Sequence, residues 1–190
     1  MATLVNNAGF GSYGRFSALP GKRLHEEVQL NVTALTQLTH ELWPELVRHS
    51  RSAPATGALI NVASTAAFQP VPFMSVYAAT KAYVLSFTEG LWSEAKGTGL
   101  KVLALCPGPT ATEFKQVAGS EGVSFGAPQS AADVIGTAFR ALDRRSTPPR
   151  VVSGVGNAFS ARAVRLVPQR SLLTVLGRVT TPAPRHPPAL

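Results

Sequence analysis

Residues 57–81 read GALINVASTAAFQPVPFMSVYAATK. Ala58 to Ala63 is a nearly continuous apolar run closed by a polar residue, the pattern of a parallel strand covered on both faces. A loop rich in Pro and Phe follows, and from about residue 74 to 96 the apolar spacing becomes helical. On that helix Tyr77 and Lys81 sit four apart, so both side chains project from one face. A tyrosine with its ordinary pKa of about 10 is a poor base at neutral pH, and a nearby ammonium favours the phenolate. Ser64 stands directly after the strand, where open α/β sheets place their sites, thirteen residues before Tyr77. Taken alone, Tyr-x-x-x-Lys is common by chance, and an exposed aromatic-lysine pair is the plain alternative.

Outward from this stretch the chain alternates strand-like and helical segments, which predicts βαβ construction and an α/β fold, a three-layer doubly wound parallel sheet. Strands are expected near 3–7, 57–63, 100–106 and 150–153, and helices near 22–49, 74–96 and 130–143, with one or two more in 156–180. Residues 1–181 are read as a single domain, and 182–190 as a frayed, proline-rich tail. Leu24, Val28, Val32, Leu35, Leu38, Leu42 and Leu46 form an apolar stripe expected to face a core or a partner, with Pro44 kinking or shortening the helix near its end. Asn31 interrupts that pattern between Leu30 and Val32; it is either an inward polar group with partners or an exposed one.

Composition sets outer limits. The 190 residues are 45% hydrophobic and 15% charged, ordinary for a globular domain. The lone Cys106 follows Val102–Leu105 and reads as a buried reduced thiol, so a cytoplasmic setting is expected. No apolar run approaches the roughly 18 residues of a membrane span. The net charge of +8 is uneven, with no acidic residue after Asp143 but Arg144, Arg145, Arg150, Arg162, Arg165, Arg170, Arg178 and Arg185. Interleaved with Val164, Leu166, Leu172 and Leu176, these arginines suit peripheral contact with an anionic membrane surface. A helix lining a cleft or a subunit boundary is the alternative. Without aromatic interleaving, nucleic acid is not expected as a partner, and no residue set suggests a metal.

Near the start, Gly9, Gly11 and Gly14 follow a strand-like run with GxGxxG spacing. A dinucleotide fingerprint needs a helix opening at that loop and an acidic residue about 20 positions on, ending a second strand. Pro20-Gly21 instead punctuates the chain, and Glu26 and Glu27 lie within the helical stretch. The glycines read as a flexible loop over a site.

Asn6-Asn7-Ala8-Gly9 after a strand, Asn31 in the next helix, Ser64 at a strand end, Tyr77-Ala78-Ala79-Thr80-Lys81, and Pro107-Gly108 with Thr112 occur in an order and spacing that resembles the short-chain dehydrogenase/reductase family. The resemblance runs from about Thr3 to Val152. It implies an NAD- or NADP-dependent oxidoreductase interconverting a carbonyl and a secondary alcohol, in which the cofactor carries the hydride. Tyr77 would be the general acid/base and Ser64 would orient the substrate oxygen. Lys81 would lower the pKa of Tyr77 and bind the nicotinamide ribose, and Asn31 would hold a water linking Lys81 to solvent. Asn7, Ala8 and Gly9, with Tyr77 and Lys81, would contact the cofactor; Pro107, Gly108 and Thr112 would enclose its nicotinamide end. A homo-oligomer is implied as well.

Family members begin with a strand, a glycine-rich turn and a helix that bind pyrophosphate, then add two more strand-helix units. At about 30 residues per unit, some 80–90 residues of that pattern are expected upstream of Met1, and the strand at 3–7 is expected to present an open edge. A non-catalytic interaction module is therefore the alternative function. Loops 65–74 and 109–129, with Phe68, Phe73, Phe114 and Phe125, suggest a lipophilic carbonyl.

Overall fold

The computed structural model describes residues 2–53, 56–121, 126–164 and 166–181. Phe125, Arg165, and the 182–190 tail with Arg185 lie outside the described residues.

The four apolar segments pair as one parallel sheet in chain order: β1 (Thr3–Asn6), β2 (Ala58–Val62), β3 (Lys101–Cys106) and β4 (Arg150–Val152). Helices link and follow them: α1 (Gly21–Val28) and α2 (Leu35–Ser52), then α3 (Ser75–Glu94), then α4 (Phe114–Ala118) and α5 (Ala131–Leu142), then α6 (Val155–Ala163) and α7 (Gln169–Thr180). Alternate strand residues point to opposite faces. Leu59, Ala63, Val102, Ala104 and Cys106 pack with Leu35, Leu46, Val84 and Leu85 of α2 and α3. Ala58, Ile60, Leu103 and Leu105 pack against Val134, Ala138, Ala141 and Leu142 of α5 on the other face. The three expected layers are present. Cys106 is buried between β3 and α3, and burial pushes its thiol up to about 12.

The core is not purely apolar. Asn6 and Asn61 are register partners across β1 and β2. The Asn6 amide donates to Thr39 Oγ1 at 3.0 Å and Asn61 Oδ1 at 2.8 Å, and the Asn61 amide donates to Thr88 Oγ1 at 2.9 Å. This buried ladder joins α2, two strands and α3, and its groups satisfy one another.

The expected helix 22–49 is corrected in three respects. It runs to Ser52, with a π-helical segment over Gln29–Ala34 between α1 and α2. Pro44 does not shorten it: both Pro44 and His40, whose carbonyl loses a donor, are exposed, so water can take up that carbonyl. The apolar stripe also fails to stay on one face, and beyond Ala34 the wider π turn shifts its register. Leu35 and Leu46 are buried, but Val28 is 39% and Leu38 51% exposed, while polar Glu27, Asn31 and Thr39 turn inward. Two further expectations change: a 3-10 turn occupies Thr65–Phe68 within the 65–74 loop, and α4 lies within 109–129.

Candidate active site

Parallel strands bring their carboxyl ends to one edge of the sheet. The pairing of β2 and β3 continues there, Ala63 donating to the Leu105 carbonyl at 2.8 Å and Thr65 to the Pro107 carbonyl at 2.9 Å. Ser64 is thereby fixed between them, its Oγ accepting from the Ala66 backbone at 3.1 Å as the cap of the 3-10 turn.

Tyr77 and Lys81 lie on the first turns of α3 and face this edge. Lys81 is 6% exposed and donates to the Val62 carbonyl at 2.8 Å, with Nζ 5.8 Å from the centre of the Tyr77 ring. The other side of Tyr77 meets Phe114 of α4, ring centres 5.0 Å apart. Burial pushes the Tyr77 phenol up to about 12; a hydrogen bond with the Ser64 side chain opposes this, and the Glu27 carboxylate adds to it. Burial pulls the Lys81 ammonium down to about 8, against a smaller opposing effect of Cys106. The expected lowering of the Tyr77 pKa by Lys81 is not seen: burial sets the direction, and the phenol keeps its proton at neutral pH.

Asn31 is 1% exposed within the π turn, a distortion frequent at functional sites. Its Oδ1 accepts from the Phe10 backbone N–H at 3.1 Å, and its amide donates to the Phe10 carbonyl at 2.8 Å and to Thr80 Oγ1 at 3.1 Å. Both amide hydrogens are therefore committed to clamping the segment after β1 onto α3. Asn7, Ala8 and Gly9 lie exposed at the end of β1. A Cβ at Gly9 would stand 2.8 Å from Asn31 Oδ1 and 3.4 Å from Lys81 Nζ, and one at Gly11 3.1 Å from Tyr77 Cδ2. Bare backbone is needed for this approach.

The Gly9–Gly14 loop is tethered rather than flexible. The Arg23 guanidinium, 5.0 Å from the centre of the Phe10 ring, donates to the Gly11 and Val117 carbonyls. Tyr13 N–H donates to the Ala118 carbonyl at 3.0 Å, Gly14 N–H to the Phe73 carbonyl at 2.9 Å, and Tyr13 Oη to the Thr180 carbonyl at 2.7 Å. Phe73 holds the left-handed φ of 63°, a strained conformation for a side chain of its size.

The remaining expected residues lie on the far rim. Pro107 and Gly108 follow β3, and a Cβ on Gly108 would fall within 2.3 Å of the Asn157 amide, so its small size admits α6. Thr112 is exposed and its Oγ1 faces the Phe114 N–H at 3.4 Å, at the start of α4. The sequence reading brought together Asn31, Ser64, Tyr77, Lys81 and Gly9, but passed over Arg23, Glu27 and Thr80. For Arg23 and Glu27 the signal is their four-residue spacing from each other and from Asn31, which places all three on one helical face; Thr80 carries no such signal.

The sequence pattern of the family described as short chain dehydrogenase matches residues 1–121. The chain is 34% identical over 134 residues to sulfoacetaldehyde reductase of Chromohalobacter salexigens, covering 70% of this chain and 49% of that protein. It is 38% identical over 116 residues to serine 3-dehydrogenase of Rhizobium radiobacter, covering 60% and 44%. It spans about half the length of these relatives. The fold superposes on a short-chain dehydrogenase from Sphingobium yanoikuyae solved in complex with NADPH, with a TM-score of 0.73 and 29% identity, covering 98% of this chain and 70% of that one. With the matched pattern covering well over half of its residues, and strand ends, helices and loops superposing on a known member, the chain belongs to the short-chain dehydrogenase family.

Proposed function

We propose that this chain carries the acid/base half of an NAD- or NADP-dependent oxidoreductase that interconverts a carbonyl and a secondary alcohol. The observation that carries the reading is a partly buried Tyr77, one helical turn from the buried Lys81 ammonium and with the Ser64 side chain close to its phenol, at the open ends of β1 and β2. The cofactor, when bound, supplies or accepts the hydride. The residues present fit its approach: side chain is absent at Gly9, directly beside the Lys81 ammonium, with Asn7 and Ala8 exposed next to it. Lys81 would hold the ribose hydroxyls and Pro107, Gly108 and Thr112 the nicotinamide end. Ser64 orients the substrate oxygen and Tyr77 donates its proton to it during reduction, or takes it during oxidation. The free lone pair of Asn31 Oδ1 would hold the water that links Lys81 to solvent. A lipophilic carbonyl suits Phe68, Phe73 and Phe114; the neighbouring open cavity of about 470 Å³ mixes Phe16, Leu19, Leu24, Pro72 and Val76 with Ser12, Arg15, Ser17 and Ser75.

A second reading, a non-catalytic interaction module, is favoured by the edge of β1, which pairs only with β2 among the described residues and leaves Val5 51% exposed. Calorimetry with NADH and NADPH separates the two. Saturable binding to the 190-residue chain supports the enzyme; a folded chain that takes up neither supports the module.

Two surfaces suggest partners. Val28, Leu30 and Leu38 are exposed beside a shallow groove formed by Val28, Val32, Val76 and Ala79, which suits a second copy of the chain. On α6 and α7, exposed Phe159, Leu173, Val175 and Val179 alternate with exposed Arg162, Arg170 and Arg178, which suits an anionic membrane surface. No helix among the described residues is long and apolar enough to cross a membrane. Sedimentation with and without anionic vesicles reads both ideas. A purely monomeric protein would end the first, and pelleting that ignores anionic lipid content would end the second.

A further inference from the structure

Gly108 is bare on one side because another side chain already fills the space. A Cβ there would lie 2.3 Å from Asn157 Nδ2, 2.6 Å from its Cγ and 2.7 Å from its Oδ1, so the whole Asn157 carboxamide packs against the backbone that follows β3. Asn157 stands on the first turn of α6, a helix that the acid/base scheme does not use.

This carboxamide is held from two directions. Its nitrogen donates to the Ser153 carbonyl at 2.8 Å, just past the end of β4, and to Gln129 Oε1 at 3.3 Å. Gly154 makes room for the pair: its φ is 86°, and a Cβ there would stand 3.1 Å from both Asn157 Nδ2 and Gln129 Nε2. Gln129 is in turn bound into the loop after β3 by its own backbone. Its N–H donates to the Pro109 carbonyl and its carbonyl accepts from the Ala111 N–H, each at 2.9 Å. At the front of the same loop the Pro107 carbonyl accepts from Thr65 N–H at 2.9 Å, beside Ser64. Residues 107–111 are therefore fixed between Thr65 on one side and the Asn157 and Gln129 side chains on the other.

We infer that Asn157 is a further positioning residue of this site, one that sets how far Pro107 and Gly108 stand out toward the nicotinamide end of the cofactor. The inference rests on the reading of Pro107, Gly108 and Thr112 as the residues at that end. With both amide hydrogens spent, the carboxamide cannot turn away without losing a bond, so Gly108 cannot sink toward α6. Asn157 acts through Gly108 and Gln129 alone. The adenine half of the cofactor gains nothing from it directly.

Asn157→Ala removes the packed carboxamide and both of its bonds. Without any ligand, hydrogen exchange of the full chain is expected to quicken about tenfold at the Ala111 and Gln129 amides, as for the loss of one or two ordinary hydrogen bonds. Leu103 and Leu105, inside β3, should keep their wild-type rates, whereas general loosening of the fold would speed these too. Gly108→Ala should quicken the same two amides, yet the double variant should exchange no faster than Asn157→Ala, because the new methyl occupies space the carboxamide has left. Calorimetry then compares NADH and NADPH with ADP-ribose, which lacks the nicotinamide. Asn157→Ala should weaken the bound cofactor about fivefold and leave ADP-ribose unchanged, a contrast that a merely structural role does not produce. Unaltered exchange at Ala111 and Gln129 overturns the inference, and so does equal weakening of cofactor and ADP-ribose. A wild-type chain that takes up neither NADH nor NADPH fails the oxidoreductase reading and the nicotinamide role with it, while the exchange result refutes or upholds the clamp without cofactor, so the two failures are told apart.

Discussion

Tyr77→Phe is expected to lower carbonyl reduction about 10³-fold, within the range for loss of a positioned general acid, while NADH or NADPH binding stays near wild type. The substitution removes one oxygen from a ring that Phe114 and Gly11 already hold, so the packing of the site should survive. The pH dependence of the unmodified chain follows from the same burial. Reduction needs the phenol, which persists to about 12, and the charged Lys81, which persists to about 8. Its rate should be level through neutrality and decline as Lys81 loses its proton. Oxidation needs the phenolate and should rise with pH instead. Steady-state rates across a carbonyl panel, paired with calorimetry, check this; a Tyr77→Phe variant as fast as wild type would remove Tyr77 from the chemistry.

Lys81→Met should abolish that activity yet make the folded chain more stable at neutral pH, relative to its stability at high pH. The ammonium is drawn from its usual 10.5 to about 8 by burial. Between those values the unfolded chain binds a proton that the folded one does not, so wild-type stability rises with pH across that window and is lowest below about 8. At 1.36 kcal/mol per pKa unit the burial penalty approaches 3 kcal/mol at neutral pH, to order of magnitude, offset in part by the bond to the Val62 carbonyl. Methionine has no such titration. The stability of the variant minus that of wild type, from denaturant unfolding, should fall by about 2 kcal/mol between pH 7 and 9.5. A pH-independent difference would show that Lys81 is not desolvated as described. A residue that costs stability where it sits is the usual mark of a site shaped by activity.

What was legible in the sequence was what periodicity and punctuation encode. The apolar runs at 58–63 and 102–105 announced central parallel strands, and the helical spacing after Met74 placed Tyr77 and Lys81 on one face. The fold class followed from their alternation. The interior of the first helix was hidden, because a single π turn at Gln29–Ala34 displaces every later residue around the axis. Beyond that turn Thr39 is buried in place of Leu38, within it Asn31 faces inward, and before it Glu27 is buried in place of Val28. The role of Asn61 was likewise hidden inside an apolar strand, because its partners Asn6 and Thr88 are 55 and 27 residues away. The electrostatic balance at Tyr77 was out of reach for the same reason: a spacing of four fixes the direction of Lys81, while burial depends on Phe114, Gly11 and other distant segments.

The Tyr13 hydroxyl, bound to the Thr180 carbonyl at 2.7 Å, joins residues 167 positions apart. Through it α7 is mechanically in series with the loop that packs on Tyr77. Tyr13→Phe would remove this tie between α7 and the loop without altering any strand.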